Sequence, residues 1–424
     1  MCNPNSAPNT TSAFSSNFTY FQLLLYYQPK NTRPLARFMQ IQKIQLQHFR
    51  NHTHSEMTWS DDINLILGHN GAGKTNIIDA IHYLCMSRSF AASSDQYVIE
   101  HNHSFFKIDG WLSGSIRSEF KVTCSYKRGE GKKIWVNDSP LDRLTDLIGM
   151  VPVVVLSPQD RKLTAEGPSE RRSFLDSMIS QQSKSYFRDL LDYKKVVKQR
   201  NAVLSNYGLG ESGKDHFLEP WDEQFCRLAA RITLKRARIL KQFAEFLEEV
   251  YQKIASLHLK PRMEYKGAMS ISDDDDNEMT EEQLTEIFEK QLKADYKKER
   301  DRQYTGVGPH RDDIIFWLDD IELRKYGSQG QHRLFALALK MAELFYLTEM
   351  LDDLPIFLLD DVFGDLDPQK VNLLFEMLDE HNGQTFVTAA NPDVFETVSD
   401  AVKKRIKWYN VEEGIITEKN YVDV

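Results

Sequence analysis

The segment GHNGAGKT, at residues 68–75, constrains the fold more than any other feature of the chain. It fits G-x-x-x-x-G-K-[ST] at every fixed position, between an apolar run at 63–67 and an amphipathic stretch at 76–84. A strand, a glycine loop and a helix start together place backbone N–H groups and the positive end of a helix around one anion. The segment therefore predicts a site for the phosphates of ATP or GTP. Its expected contacts are Gly68, His69, Asn70, Gly71, Ala72, Gly73, Lys74 and Thr75.

The run PIFLLDD, at 355–361, supplies the acidic half of such a site. Lys74 is expected to reach the β- and γ-phosphates and the Thr75 hydroxyl to ligate Mg²⁺. Four consecutive apolar residues in the run indicate a strand buried on both faces, as in a parallel sheet. Asp360 at its end is expected to hold Mg²⁺, largely through water, and Asp361 to orient and deprotonate the attacking water. Alone, two acids after a strand are more often a solvated strand end, but the glycine loop favours the catalytic interpretation.

A third element, YGSQGQ at 326–331, precedes a helical run at 334–347. Ser328 and Gly330 offer a hydroxyl and backbone amides at a second helix start, which one nucleotide cannot easily share with the glycine loop of the same protomer. The order glycine loop, YGSQGQ, acidic strand and GDLD (364–367) resembles the ABC ATPase superfamily, in which this element caps the γ-phosphate bound by a partner subunit. The resemblance implies an α/β fold, an ABC-ATPase head of the P-loop NTPase class, and an ATP-dependent homodimer.

Further motifs after residue 39 resemble the RecF family within that superfamily. They are HFRN (48–51), GKTN (73–76), RSF (88–90), GPSERR (167–172), KQRN (198–201) and GPHRDD (308–313). The resemblance implies that Arg50 and Asn51 lie near the nucleotide, and that Gln159 takes part in catalysis near Mg²⁺ and the γ-phosphate. The chain departs from ABC transporters, which usually have Glu at the position of Asp361 and a histidine where TAAN (388–391) stands here. RecF-like chains commonly carry Glu at position 159.

Charge and cysteine content exclude several classes of protein. The 424-residue chain has 53 Lys and Arg against 62 Asp and Glu, a formal charge of −9, which argues against coating nucleic acid through overall charge. No apolar run reaches the about 20 residues of a membrane helix, which excludes a membrane-spanning protein. The cysteines are too few and too scattered for a disulfide framework or a metal site, which predicts a reducing, cytoplasmic compartment. They are Cys2, Cys85, Cys124 and Cys226.

Pattern changes along the chain predict four parts. Residues 1–38 contain no acid and are expected to be a disordered leader or a mis-called start. Residues 39–164 and 304–424 are expected to form the N-terminal and C-terminal parts of the ATPase head. In 165–303, apolar residues at helical spacing predict an inserted lobe with a short coiled-coil-like, antiparallel hairpin whose arms are each about 50 Å long. The acidic run at 273–276 is expected to be a solvated loop.

The second predicted arm of the hairpin carries a stripe of cations with no acid between 226 and 241. Such a stripe is able to follow a phosphate backbone with salt-dependent, sequence-independent affinity. A solvated helix face, or ion pairs to the acidic first half of the hairpin, is the alternative. The stripe consists of Arg227, Arg231, Lys235 and Arg238, with Arg236 and Lys241 beside it, and further candidates are Arg171, Arg172, Lys195, Lys198 and Arg200. Since no Cys or Asp at metal spacing accompanies them, His48, His52 and His54 are expected to be surface or packing residues.

The RecF resemblance implies an ATP-dependent DNA-binding protein of recombinational repair and replication. Such a protein binds double-/single-strand junctions of gapped DNA, works with RecR to promote RecA loading, and uses weak, DNA-stimulated ATP hydrolysis as a switch. A transporter ATPase subunit is an alternative, against which the helical insertion, Asp361 and the missing histidine count. An SMC-like structural ATPase is another, although its coiled coil is far longer. A third is a non-catalytic ATP-gated clamp.

Overall fold

The fold is known from a computed structural model, which describes residues 38–115, 117–206, 218–255, 259–268, 270–271, 279–395 and 398–419. Several expectations fall outside these residues. They concern the leader (apart from Phe38), Cys2 and the acidic run at 273–276.

An antiparallel sheet begins the described chain. The pattern MQIQKIQLQHF predicts an edge or half-buried strand, and this strand alternates buried and more exposed residues as expected for one covered face. It is paired on both sides, so the edge position is wrong and the half-buried alternative is confirmed. In the order β2-β1-β4-β5-β6-β7, the strands are β1 (Gln40–Phe49), β2 (His52–Thr58), β4 (Phe105–Ser113), β5 (Phe120–Lys127), β6 (Gly131–Val136) and β7 (Ser139–Pro140).

The central sheet has the order β16-β15-β3-β14-β13-β8 and is parallel except for β16 at one edge. Its strands are β3 (Ile63–Leu67), β8 (Val153–Leu156), β13 (Ile356–Asp360), β14 (Thr385–Ala389), β15 (Ile406–Glu412) and β16 (Ile415–Lys419). Every residue of β13 is buried, which confirms the prediction of a strand covered on both faces, and every residue of β3 is buried as well. Since parallel strands end at the same edge, the glycine loop after β3 and the acids at the end of β13 meet there.

Helices cover both faces of the central sheet. The helices of the described residues are α1 (Lys74–Met86), α2 (Arg161–Ala165), α3 (Pro168–Gln182), α4 (Lys184–Asn206), α5 (Glu219–Ile254), α6 (Glu281–Arg302), α7 (Leu323–Tyr326), α8 (Gln329–Met350), α9 (Pro368–His381) and α10 (Asp400–Lys403). Ile66 and Leu358 enter a core shared with α1 and the antiparallel sheet. Leu65 and Leu359, on the opposite face, enter a second core with α5 and α8. Because successive side chains along each strand point to opposite faces of the sheet, the central sheet has one hydrophobic core on each face.

The predicted hairpin is confirmed in its second arm and corrected in its first. α5 has 36 residues, which corresponds to about 54 Å, and it packs against α4. The first arm is interrupted at Ser183, which has extended backbone and whose hydroxyl accepts the Tyr186 N–H. Because of this break, α4 has 23 residues and a length of only about 35 Å.

A third helix of this lobe, α6, was not predicted. Its start carries a capping box between Thr280 and Gln283, and Leu284, Phe288 and Leu292 are buried at steps of four. These two patterns are the sequence signal for the helix. α6 packs against α5, so the lobe contains a third long helix beside the hairpin.

A small antiparallel sheet, in the order β10-β9-β11-β12, joins two of the predicted parts. Its strands are β9 (Pro261–Lys266), β10 (Ser270–Ile271), β11 (Asp313–Leu318) and β12 (Ile321–Glu322). Met263 of β9 pairs with Phe316 of β11. The chain on either side of residue 303 therefore contributes to one sheet, while the predicted domain boundaries stay predictions. Among the described residues, no helix combines the length and apolar character needed to cross a membrane.

Candidate nucleotide-binding site

The glycine loop lies between β3 and α1, as the motif predicts. Gly73 caps α1 with a left-handed backbone (φ 113°), and a Cβ at this position would lie 2.6 Å from the Asn51 side chain. The backbone conformation therefore favours glycine here, and any larger residue would also have to displace the end of the Asn51 side chain. The loop is followed directly by the start of α1, which is the arrangement expected of an anion cradle, while phosphate binding by the loop stays a prediction.

Lys74 folds back onto the loop that precedes it. Its Nζ donates hydrogen bonds of 2.6 Å to the Gly68 carbonyl and 3.1 Å to the His69 carbonyl. Burial lowers the pKa of Lys74, and the nearby carboxylates of Asp361 and Asp360 act in the opposite direction. A cation held inside the loop in this way is placed to meet a polyphosphate.

The acidic strand end and the start of α1 meet at Asp360. The Thr75 hydroxyl lies 3.0 Å from both carboxylate oxygens of this buried residue. Burial, and then the charge of Asp361, raises the pKa of Asp360, while the hydrogen bonds from Thr388 and Thr75 oppose the shift. A carboxylate and a hydroxyl side by side are oxygen ligands of the kind that Mg²⁺ takes, so these residues fit that ion.

Thr388 completes this group of residues, and the sequence assigned it no role. It is the register partner of Asp360 on the neighbouring strand. Its hydroxyl donates to Asp360 at 2.8 Å and accepts the backbone N–H of Asp361 at 2.9 Å. Asp361 has a left-handed backbone (φ 50°) and an exposed side chain. One hydroxyl therefore fixes both the predicted metal ligand and the backbone of the predicted base.

Gln159 lies at the same edge of the central sheet. Strand β8 pairs with β13, with Leu156 opposite Leu359, and Gln159 follows in a short turn at Pro158–Asp160. The side chain of Gln159 is exposed. Its strand is thus adjacent to the strand that ends at Asp360, while its contact with metal or phosphate stays a prediction.

The turn between β1 and β2 carries Arg50 and Asn51 to the glycine loop. The Asn51 side chain donates to the Ala72 carbonyl at 3.2 Å and accepts from Asn76 at 2.7 Å. Arg50 forms an ion pair of 2.8 Å with Asp79, a fully buried residue of α1. Asn51 therefore touches the loop directly, whereas Arg50 fixes the turn to the helix that follows the loop.

A second support for the loop, which was not predicted from the sequence, comes from the turn between β15 and β16. The Gly414 N–H donates to the Ala72 carbonyl at 3.1 Å. Gly414 has φ 79°, and a Cβ there would lie 2.9 Å from the Asn51 carbonyl oxygen. His52 contacts the Gly414 carbonyl through Nδ1 at 3.1 Å, and burial lowers the pKa of this histidine. The glycine loop is thus held from two sides.

Ser328 begins α8 and lies on the surface. Its hydroxyl accepts the Gln331 N–H at 3.2 Å, and the Gln331 side chain accepts the Ser328 N–H at 2.8 Å. Gly330 and the neighbouring Tyr326 are also exposed. A capped, exposed helix start is compatible with the predicted contact to a nucleotide on a second copy, which stays a prediction.

Comparison with known proteins identifies the family. The family model "RecF/RecN/SMC N terminal domain" matches residues 40–417. "DNA replication and repair protein RecF" of Salinibacter ruber is 42% identical over 366 residues, which cover 86% of this chain and 88% of that protein. The chain belongs to the RecF family.

Solved structures agree with this assignment. The "recombination mediator protein RecF-ATP in RecFOR pathway" matches with a TM-score of 0.83 and 28% identity, over 92% of this chain and 100% of that chain. An Smc head bound to the C-winged helix domain of ScpA matches with a TM-score of 0.52 and 16% identity, over 90% of this chain and 98% of that chain. The second match shows a common fold only. The predicted ABC-ATPase head is confirmed.

Three of the candidate DNA-contacting cations of this RecF-family chain are buried, so they are wrong candidates, and the ion-pair alternative describes them. They form ion pairs inside the protein, where an unpaired charge would be strongly unfavourable. Arg171 pairs with Asp313 at 2.8 Å, and Arg236 with Asp176 at 2.9 Å. Arg200 pairs at 2.7 Å with both Asp222 and Glu299.

Other cations of the set remain at the surface. Arg231 pairs with Glu281 of α6 at 2.7 Å, so its partner lies on the third helix and not on the first arm of the hairpin. Arg227 pairs with Glu223 on its own helix, and Arg238 is exposed. Lys195 pairs with Asp192 at 3.0 Å. DNA contact by these exposed residues stays a prediction.

Proposed function

We propose that the chain is an ATP-dependent DNA-binding protein of DNA replication and recombinational repair. The observation that carries the proposal is the group formed by Thr75, Asp360 and Thr388 at the edge where the glycine loop ends. This group places oxygen ligands for a divalent cation next to the glycine loop expected to bind phosphates, and a nucleotide hydrolase needs both. The relatives' names, a "DNA replication and repair protein" and a "recombination mediator protein", supply the biological setting.

ATP would be held by the amides of the glycine loop and by Lys74. A bound Mg²⁺, with Thr75 and Asp360 as ligands, would neutralise charge on the phosphates. Thr388 holds the backbone of Asp361 so that its carboxylate projects from the end of the strand. Asp361 would accept the proton of the attacking water, with Gln159 nearby orienting the reacting groups.

ATP binding and hydrolysis would switch the protein between a dimer and a monomer. Ser328 and Gly330 of a second copy would cap the γ-phosphate, so that ATP joins two heads and hydrolysis releases them. Support comes from their exposure at the start of α8. Hydrolysis in such a homodimer is expected to be weak and DNA-stimulated, because its task is timing.

The DNA surface would form when the dimer closes. Since the net charge is −9, affinity for DNA has to come from local cations such as Arg227, Arg231 and Arg238. The substrate would be gapped DNA at the junction of double- and single-stranded segments, with RecR as partner and RecA loading as outcome. A cytoplasmic location belongs to this proposal, and the described cysteines Cys85, Cys124 and Cys226 are buried free thiols.

Sedimentation of the full chain with and without ATP, and with and without a gapped duplex, tests the proposal. We expect a monomer without ATP, a dimer with ATP, and a heavier DNA complex only when ATP is present. A chain that stays monomeric with ATP and gapped DNA would overturn the switch. Co-purification with a membrane protein would favour the transporter subunit instead.

A further inference from the structure

Three side chains with metal-binding atoms meet beside the turn between β1 and β2, outside the nucleotide site. His48 lies at the end of β1, and Glu100 and His103 lie in the segment before β4. Their ligand atoms all lie within 4.8 Å of one another. The Glu100 Oε2 atom is 2.7 Å from Nδ1 of His48 and 3.2 Å from Nδ1 of His103. Both imidazoles therefore face the same carboxylate oxygen.

The backbone fixes the three positions. The Glu100 N–H donates to the His48 carbonyl at 2.9 Å, and the Arg50 N–H donates to the Val98 carbonyl at 2.8 Å. The His103 N–H donates to the Glu100 carbonyl at 3.1 Å and closes a turn. Two hydrogen-bonded segments and a tight turn thus bring together residues more than fifty positions apart in the chain, which is why sequence spacing around His48 did not indicate a site.

The second oxygen of Glu100 is already occupied. The Thr53 hydroxyl donates to Oε1 of Glu100 at 2.5 Å. The hydrogen bond from Thr53 leaves Oε2 directed at the two imidazoles. It also orients the carboxylate, as hydrogen bonds to the ligands of a bound metal commonly do. The side chains of His48 and Glu100 are largely buried, at 16% and 18% exposure, whereas that of His103 is 37% exposed and adjustable.

We propose that His48, Glu100 and His103 form a binding site for a divalent cation of the Zn²⁺ class. Two imidazoles and a carboxylate are ligands that Zn²⁺ takes together, and ligands about 2.0–2.1 Å from a tetrahedral ion lie about 3.3 Å apart. The 3.2 Å pair matches this spacing, and the 2.7 Å pair has to open by about 0.6 Å.

The two imidazoles also have to tilt. They are stacked, with centroids 3.7 Å apart and planes at 17°, so their Nδ1 atoms do not yet converge on one point. Each Nδ1 now donates its hydrogen to Glu100, so coordination also requires each ring to carry its single hydrogen on Nε2 instead. The terminal torsion of histidine has broad minima, and His103 lies at the surface, so the tilt costs little. A fourth position is left open to water or to an outside ligand.

The site is separate from the proposed Mg²⁺ site in position and in chemistry. Nitrogen ligands favour Zn²⁺, whereas the oxygen ligands of Thr75 and Asp360 favour Mg²⁺. His48 is nevertheless two residues from Arg50, whose guanidinium binds Asp79 of α1. A bound ion would therefore stabilise the turn that supports the glycine loop, and raise the melting temperature.

Co²⁺ titration of the EDTA-treated full chain, without nucleotide, tests the site. We expect visible absorption that saturates at one Co²⁺ per chain and is removed by one equivalent of Zn²⁺. His48→Ala, Glu100→Gln and His103→Ala should each weaken binding by at least about tenfold. His54→Ala, an exposed histidine on β2, is the matched control and should bind as the unchanged chain does.

Several results would overturn the site. One is that the wild-type chain shows no saturable Co²⁺ absorption. Another is that the Glu100→Gln and His103→Ala variants bind Co²⁺ with the same affinity as the wild-type chain. If His48→Ala fails to fold, the other two variants decide the question. Glu100→Gln keeps the shape of the buried side chain, and His103→Ala changes only a residue in an exposed turn. Thermal unfolding with Zn²⁺ and with EDTA gives an independent readout, and equal melting temperatures would also count against the site.

Discussion

The hydroxyl of Thr388 donates a 2.8 Å hydrogen bond to the carboxylate of Asp360 across two parallel strands. The same oxygen accepts the N–H of Asp361 at 2.9 Å. Both acids of the proposed hydrolytic site are thus aligned by one side chain. A hydroxyl with this double role cannot be replaced by an apolar group without loss of alignment.

Replacing Thr388 by Val keeps the shape of the side chain and removes the hydroxyl. We expect ATP turnover to fall by about tenfold or more and stability to fall by about 1–3 kcal/mol, because a buried carboxylate loses a partner. Steady-state ATPase assays and denaturant unfolding measure the two effects. Thr388→Ser should restore most of the turnover, and a Val variant with normal turnover would remove the positioning role.

Asp361→Asn tests the proposed general base. Because the side chain is exposed and its carboxylate is not needed for the backbone contact to Thr388, the variant should fold normally. Turnover is expected to fall by about 10²-fold or more, while ATP binding and dimerisation persist. Unchanged turnover would exclude Asp361 as the base and favour a non-catalytic clamp.

Lys74→Arg tests the phosphate cradle. The buried Lys74 side chain donates to the Gly68 and His69 carbonyls through one compact ammonium, and a planar guanidinium differs from it in shape and in donor geometry. We expect loss of ATP-dependent dimerisation and of turnover, measured by sedimentation and by phosphate release. Lys298→Arg, on the exposed face of α6, serves as control, and a fully active Lys74→Arg variant would refute the assignment of the loop.

Simultaneous replacement of Arg227, Arg231 and Arg238 by Ala tests the cationic stripe. Each phosphate contact contributes about 0.9 to the slope of log affinity against log salt for duplex DNA. The slope of ATP-dependent DNA binding should therefore decrease by about one for each arginine that touches a phosphate. The same slope in the variant and in the unchanged chain would place DNA contact elsewhere.

We expect His381, at the end of α9, to contribute to the loss of stability in acid. Its Nε2 lies 2.9 Å from the Pro355 carbonyl and so carries the donated hydrogen, and burial lowers the pKa of His381 to about 4. The unfolded chain therefore binds the additional proton first, and stability is lost as the pH falls from about 6.5 toward 4.

His381→Gln should remove this part of the pH dependence. Between pH 7.5 and pH 5, the unchanged chain is expected to lose about 2 kcal/mol more stability than the variant does. Denaturant unfolding at the two pH values measures the difference. Equal losses in both proteins would show that His381 does not govern acid unfolding in this range.

Local patterns sufficed to predict the elements of the proposed nucleotide site. The glycine loop, the apolar strand before Asp360 and the start of α8 at Ser328 each depend on a few consecutive residues, because turn conformation, strand burial and helix capping are short-range properties. The same logic predicted α5 from its helical spacing and missed the break at Ser183, where one capping side chain outweighs a continuous apolar pattern.

Tertiary structure decided everything that depends on which segments become neighbours. In the sequence, Arg236 lies beside the cationic stripe and was a candidate for an exposed position. It is buried in the structure, where Asp176, sixty positions away, supplies its counter-charge. Thr388 acquires its role only through the register of β14 on β13, and Glu100 reaches His48 only through backbone pairing. The sequence alone determined which chemistry the chain carries. Pairing between distant segments determined which charges are buried and which side chains act together, because the free energy of a charge depends on its surroundings.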